Sequence, residues 1–120
     1  MDIALWIVQG LLAIAFLMAG GMKLTQPKEK LAENMAWVED FSANTVKGIG
    51  ALEILGAIGL ILPWALNIVP ELTGFAALGL VLTMIGAAVT HVRRNETQML
   101  VPNAVLGLLA AFVFVGRLFL

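Results

Sequence analysis

Cysteine is absent from this 120-residue chain, and so is tyrosine. Without cysteine there are no disulfides, no thiolate chemistry, no iron–sulfur ligation and no covalently attached haem. A single histidine excludes bis-histidine haem and supplies no ligand set for a protein-built zinc site, so the expectation is no metal and no covalently bound cofactor. Charge is scarce as well. Lysine and arginine number 7, aspartate and glutamate 8, together 12% of positions, against about 25% in an ordinary soluble domain. Such a chain cannot cover itself with water-binding groups. A net charge of −1 also excludes a basic nucleic-acid binder. What is present is apolar: 61% of positions are hydrophobic and mean hydropathy is +0.98. The composition is that of one small membrane domain occupying residues 1–120, with the lipid bilayer as its first partner.

The few charges punctuate the chain. Ile3–Met22 is uncharged, Gly48–Pro70 contains only Glu53, and Leu72–Thr90 and Thr97–Gly116 are uncharged. Each run approaches or exceeds the roughly 20 residues needed to cross about 30 Å of hydrocarbon. This predicts four transmembrane helices, over about 3–22, 48–66, 71–92 and 100–119. The fold class expected is therefore all-α, an integral membrane four-helix bundle. The first run is read as a retained helix, because Met1-Asp2-Ile3 offers no positive n-region and the apolar stretch exceeds the usual h-region of about 7–15 residues. Asn44 or Thr45 is the expected N-cap of the second span. Pro63 and Pro70 bracket the next turn, Pro102 opens the fourth span, and Trp64 is placed to anchor at the headgroup level.

Residues 23–47 form the one substantial stretch outside the spans. Leu31, Met35 and Val38 recur at helical spacing beside Trp37 and Phe41, with Lys28, Lys30, Glu33 and Asp40 supplying polarity. That pattern predicts a short amphipathic helix over 28–41, lying on the membrane surface or against the bundle. Lys23, Lys28, Lys30, Lys47, Arg93 and Arg94 all fall on one side, and only Arg117 on the other. The positive-inside rule places the 23–47 loop in the cytoplasm and both termini outside.

Glu53 is the one acid within a span. A helix beginning at Gly48 puts it about 7 Å inside, with Gly56 and Ala57 on its face, where another helix can approach closely. Two readings stay open: a carboxylate that braces two helices, or one that binds a ligand or moves a proton. Lys23 and His91 fall at the same end of an antiparallel bundle. An imidazole suits a proton relay, and equally it suits the C-terminal end of a helix dipole. Glu53, His91 and Lys23 form the candidate polar, proton or ligand site. Arg93, Arg94, Arg117 and Trp64 are read as interface or anchor residues, with Asp2 or Glu71 available to pair with Arg117. Gln9, Thr83, Thr90 and Asn103 are expected to hydrogen-bond between helices. No phosphate-cradling glycine loop and no nucleophile–histidine–acid set occurs.

Four motifs, in order, resemble the DoxX-like family. They are Ala19-Gly20-Gly21-Met22-Lys23-Leu24, Gly48-Ile49-Gly50-Ala51-Leu52-Glu53-Ile54-Leu55-Gly56-Ala57, Ile85-Gly86-Ala87-Ala88-Val89-Thr90-His91-Val92-Arg93-Arg94, and Gly116-Arg117. Lys23, Glu53, His91 and Arg117 match the family's polar motif positions. The resemblance implies a four-helix protein of the bacterial inner membrane. It implies a redox association too, since related proteins include a membrane subunit of a thiosulfate–quinone oxidoreductase. The expectation is a subunit, possessing no agreed catalytic residues of its own, that works with a quinone and an oxidoreductase partner. Two other classes remain open: a small proton-coupled transporter acting as a dimer, which would make the chain a homo-oligomer, and a non-catalytic scaffold or assembly factor.

Overall fold

The computed structural model describes residues 2–32, 37–38 and 41–119. Five α-helices account for most of them: α1 (Asp2–Thr25), α2 (Lys28–Ala32), α3 (Ala43–Ala65), α4 (Glu71–Arg93) and α5 (Leu100–Leu118), with a 3-10 turn at Thr97–Met99 before α5. The long helices run alternately up and down. α1 packs on α3, α3 on α4, α4 on α5, and α5 closes the ring against α1. All four are long and apolar enough to cross a membrane, and the molecule's 40 Å long axis exceeds the hydrocarbon thickness of about 30 Å. The outer faces settle the environment. Ile3, Leu55, Leu82 and Leu108 all stand exposed, and so continuous an apolar surface belongs in lipid. This is a multi-pass membrane protein.

The interior is thin and built from small residues alternating with large ones. Leu12, Phe16, Ala57, Leu60, Ala77, Leu80, Ala110 and Val113 form the central core. A second cluster, Leu31 and Val38 against Val46, seats the α1–α3 connection on the end of the bundle. Of the amphipathic helix expected over 28–41, α2 supplies 28–32, and Trp37 and Val38 make a 3-10 turn. Residues 33–36 and 39–40, Met35 among them, lie outside the described residues.

Helix boundaries differ from expectation where polar residues continue an apolar helix. α3 starts five residues before Gly48, and its N-cap is Ser42, whose Oγ accepts from the Thr45 amide at 3.1 Å. Asn44 and Thr45 are inside the helix. At the other end α3 passes through Pro63 to Ala65. It ends there, two residues before Asn67, which takes a left-handed φ of 53°, while the Asn67 and Ile68 amides donate back to the Trp64 and Pro63 carbonyls at 3.3 and 3.0 Å. α4 ends the same way. Asn95 has φ 58°, and the amides of Asn95 and Glu96 return to the Val92 and His91 carbonyls at 3.1 and 2.8 Å. Asparagine tolerates that conformation better than most residues, and it satisfies carbonyls that a helix end leaves open.

α1 and α3 meet backbone to backbone. A Cβ added at Gly20 would lie 2.6 Å from the Gly50 carbonyl oxygen, and one at Gly50 would lie 2.7 Å from that of Gly20. Only glycine on both sides permits this crossing. Gly48, two residues away, has nothing within 4 Å of such a Cβ. Gly50→Ala is therefore expected to lower stability by about 1–3 kcal/mol through overpacking. Gly48→Ala should leave it unchanged or raise it by about 0.5–1 kcal/mol. Thermal unfolding midpoints in detergent, measured side by side, check the pair; equal effects would contradict the crossing.

Candidate functional site

The glycine crossing determines where the polar groups meet. Lys23 stands one turn past Gly20 on α1, and Glu53 one turn past Gly50 on α3. With the two backbones in contact, the Lys23 ammonium donates to Glu53 Oε1 as a buried ion pair. Because α3 begins at Ala43, Glu53 sits ten residues, about 15 Å, along the helix. It is 2% exposed. The Lys23 ammonium also lies 5.5 Å from the centre of the Trp37 ring, a cation–π contact supplied by the connecting segment.

These side chains border a cavity of about 530 Å³ at the same end of the bundle. Lys23 and Glu53 lie on its α1 and α3 sides, and Met84, Ala87, Val89, His91 and Arg93 on α4 complete the opposite wall. Trp37 and Phe41, edge to face with centroids 5.7 Å apart, border it as well. Its lining is mostly apolar. Exposed Leu52 on α3 and Val89 on α4 mark an opening between those helices, toward lipid.

His91, buried at 4% exposure, shares the cavity with the ion pair. Its hydrogen-bond partner is neither Lys23 nor Glu53. Nδ1 meets Glu96 Oε1 at 2.9 Å, while Arg94 Nε donates to Glu96 Oε2 at 3.4 Å. The His91 hydrogen bond, and secondarily Arg94, holds the Glu96 carboxyl below its ordinary value of 4.5, with partial desolvation opposing them. This contribution to stability is complete above that ordinary value and disappears as the pH falls through the lowered one. Glu96 was not among the candidates read from sequence. It reaches His91 only because Asn95 turns the chain back over the end of α4.

The anchor residues are distributed differently from expectation. Arg93 borders the cavity and Arg94 binds Glu96, so both have roles beyond setting topology. Arg117 turns inward against the protein. It is buried at the opposite end of the bundle, donating from Nε to Gln9 Oε1 and from Nη1 to Asp2 Oδ1, each at 2.7 Å. Its guanidinium lies 4.3 Å from the Trp64 ring centre and 5.5 Å from that of Trp6. Trp64 thus packs on a cation, and Asp2, not Glu71, is the acid that pairs. Gln9 completes the connection by donating to the Leu60 carbonyl. Asn103 donates from α5 to the Met84 carbonyl of α4 at 3.1 Å. Thr83 and Thr90 return their hydroxyls to Gly79 and Gly86 of their own helix, the local option open to any helical threonine.

Residues 7–113 match the model of the DoxX-like family. The chain belongs to the DoxX-like family. No curated protein and no solved structure matches it. The matched span of this DoxX-like protein includes Lys23, Glu53, His91 and Glu96, the entire cavity end. Asp2 and Arg117 fall outside it.

Breaking a buried ion pair on one side leaves the other charge without compensation, at a cost of about 3–5 kcal/mol, whereas replacing both partners by apolar groups is often neutral. Glu53→Leu is expected to sharply reduce folded protein recovered from membranes. The double change Lys23→Met with Glu53→Leu should restore most of it, as measured by size-exclusion yield and unfolding midpoint. Failure of the double variant to recover would contradict a mainly mutual role.

Proposed function

We propose that this DoxX-like protein is a quinone-associated membrane subunit of an oxidoreductase system, holding the quinone headgroup in the cavity between α3 and α4. The observation that carries this reading is a mostly apolar cavity of about 530 Å³, open toward lipid, with a buried cation and an imidazole among its walls. Its size falls within the range of about 300–1,000 Å³ typical of small-molecule sites.

The residues fit such a ligand. A quinone ring offers two carbonyl acceptors on a flat, apolar body. The Lys23 ammonium has three donor hydrogens and gives one to Glu53, leaving others for an acceptor in the cavity. Glu53 keeps that ammonium in place and compensates its charge. Trp37 and Phe41 provide aromatic surface, and Leu52, Met84 and Val89 provide apolar walls continuous with the lipid-facing surface. A membrane-borne ligand therefore enters sideways without passing through water. When bound, the quinone supplies two-electron, two-proton chemistry; the electrons come from a partner oxidoreductase. The reading puts this end at the cytoplasmic face of a bacterial inner membrane, in keeping with the lysine and arginine bias, where a soluble partner and protons are both within reach.

Tryptophan fluorescence tests the reading. Trp37 borders the cavity, while Trp6 and Trp64 pack on Arg117 at the far end. In lipid nanodiscs a short-tail ubiquinone should quench fluorescence saturably. Trp37→Phe should abolish the saturable component, and Trp6→Phe should retain it. Quenching that never saturates, or that survives in Trp37→Phe, would contradict the site.

A further inference from the structure

The end of α4 places an imidazole between the cavity and a carboxylate outside it. His91 borders the cavity, and its Nδ1 is taken up by Glu96 at 2.9 Å. The contact has two independent supports. The Glu96 amide is fixed on the His91 carbonyl at 2.8 Å by the left-handed turn at Asn95, and the carboxylate's second oxygen is held by Arg94. An ionised carboxylate can only accept a hydrogen bond, so Nδ1 is the nitrogen that carries hydrogen in the neutral ring. Nε2 then bears the lone pair. Among the described residues Nε2 has no hydrogen-bond partner, which leaves it to serve whatever occupies the cavity.

We propose that Glu96 sets the tautomer of His91, making Nε2 the cavity's proton-exchanging atom and inverting its hydrogen-bond polarity when the ring gains a proton. The inference rests on the quinone reading for its ligand and on the α4 cap for its geometry. A neutral His91 presents an acceptor and suits the hydroxyl of a quinol. A protonated His91 presents an N–H donor and suits the carbonyl of a quinone. During two-electron reduction by the partner oxidoreductase, protonated His91 gives its Nε2 proton to one quinone oxygen, breaking Nε2–H and forming O–H, while the second oxygen takes its proton from water; the neutral ring then accepts from the new hydroxyl. Glu96 is a positioning residue in this scheme, acting on the ligand only through the ring.

The charged groups around His91 come from three sides. Arg93 and Arg94 lie on its own helix, Glu96 on the following turn, and Lys23 with Glu53 across the cavity on α1 and α3. The sole charged residue of α5 is Arg117, at the opposite end. Lys23 and Glu53 compensate each other, as do Arg94 and Glu96.

His91 is the only histidine in the chain, so its nitrogens can be read directly by nuclear magnetic resonance of nitrogen-15 histidine-labelled protein in nanodiscs. The neutral ring should carry hydrogen on Nδ1. In Glu96→Gln, whose amide can donate, hydrogen should move to Nε2; Glu96→Asp, which can only accept, should keep the wild-type tautomer. Hydrogen on Nε2 in the wild type would overturn the proposal. The second readout is the pH profile of ubiquinone affinity from Trp37 quenching. Wild-type affinity should weaken about ten-fold with rising pH as the ring gives up its second proton and the charged donor is lost. Glu96→Gln, which presents Nε2–H at low and high pH alike, should show a flattened profile, and an unchanged slope would overturn the proposal. If no ubiquinone binds at any pH, the quinone reading fails while the tautomer still decides this inference.

Discussion

The buried pair of Lys23 and Glu53 is the interaction on which the cavity end depends. A bare carboxylate or ammonium inside a span costs several kcal/mol on insertion scales, on the order of 2.5–3.5 at mid-membrane. Each is tolerable here because the other lies within hydrogen-bonding reach. That reach exists only because Gly20 and Gly50 let α1 and α3 touch at the backbone. Backbone contact, charge compensation and cavity wall are therefore one construction. Trp37 adds an aromatic face to the ammonium and ties the α1–α3 connection into it.

The two ends of the bundle solve the problem of buried polarity in opposite ways. At the Arg117 end the guanidinium is enclosed by Gln9, Asp2, Trp6 and Trp64. Its contacts join α1, α3 and α5. At the Lys23 end the polar groups line a space instead of filling it, and the space opens between α3 and α4. A bundle whose polar groups are tied together at one end and line a cavity at the other can hold a ligand without giving up its packing. The thin central core of Leu12, Phe16, Leu60 and Leu80 separates the two.

Much of this architecture is legible in the chain because lipid imposes a length requirement that uncharged runs satisfy visibly. All four spans follow from where Lys23, Lys47, Glu71, Arg93 and Arg117 fall. The start of α3 does not, because Asn44, Thr45 and Lys47 read as loop while forming the polar first turn of an apolar helix. Lys23, Glu53 and His91 can be grouped from antiparallel topology alone, and all three border one cavity. The direct pairing is another matter. It depends on a backbone approach that glycine spacing permits but does not require. Glu96 is hidden more deeply, since its contact with His91 needs a left-handed residue at Asn95. Arg117 reads as an anchor because a terminal arginine usually snorkels; its inward turn follows from Gln9 and the two tryptophans, which lie far apart in sequence.

The most direct test of the account is to find where a membrane-soluble ligand sits. A photoreactive azido-quinone, cross-linked to the protein in nanodiscs and mapped by peptide mass spectrometry, would report that position. The account predicts labelling concentrated on the cavity walls, at Leu52, Met84, Ala87 and Trp37, and competed away by unlabelled ubiquinone. Labelling spread over the lipid-facing surfaces of all four spans, or concentrated beside Arg117 and insensitive to competitor, would contradict it.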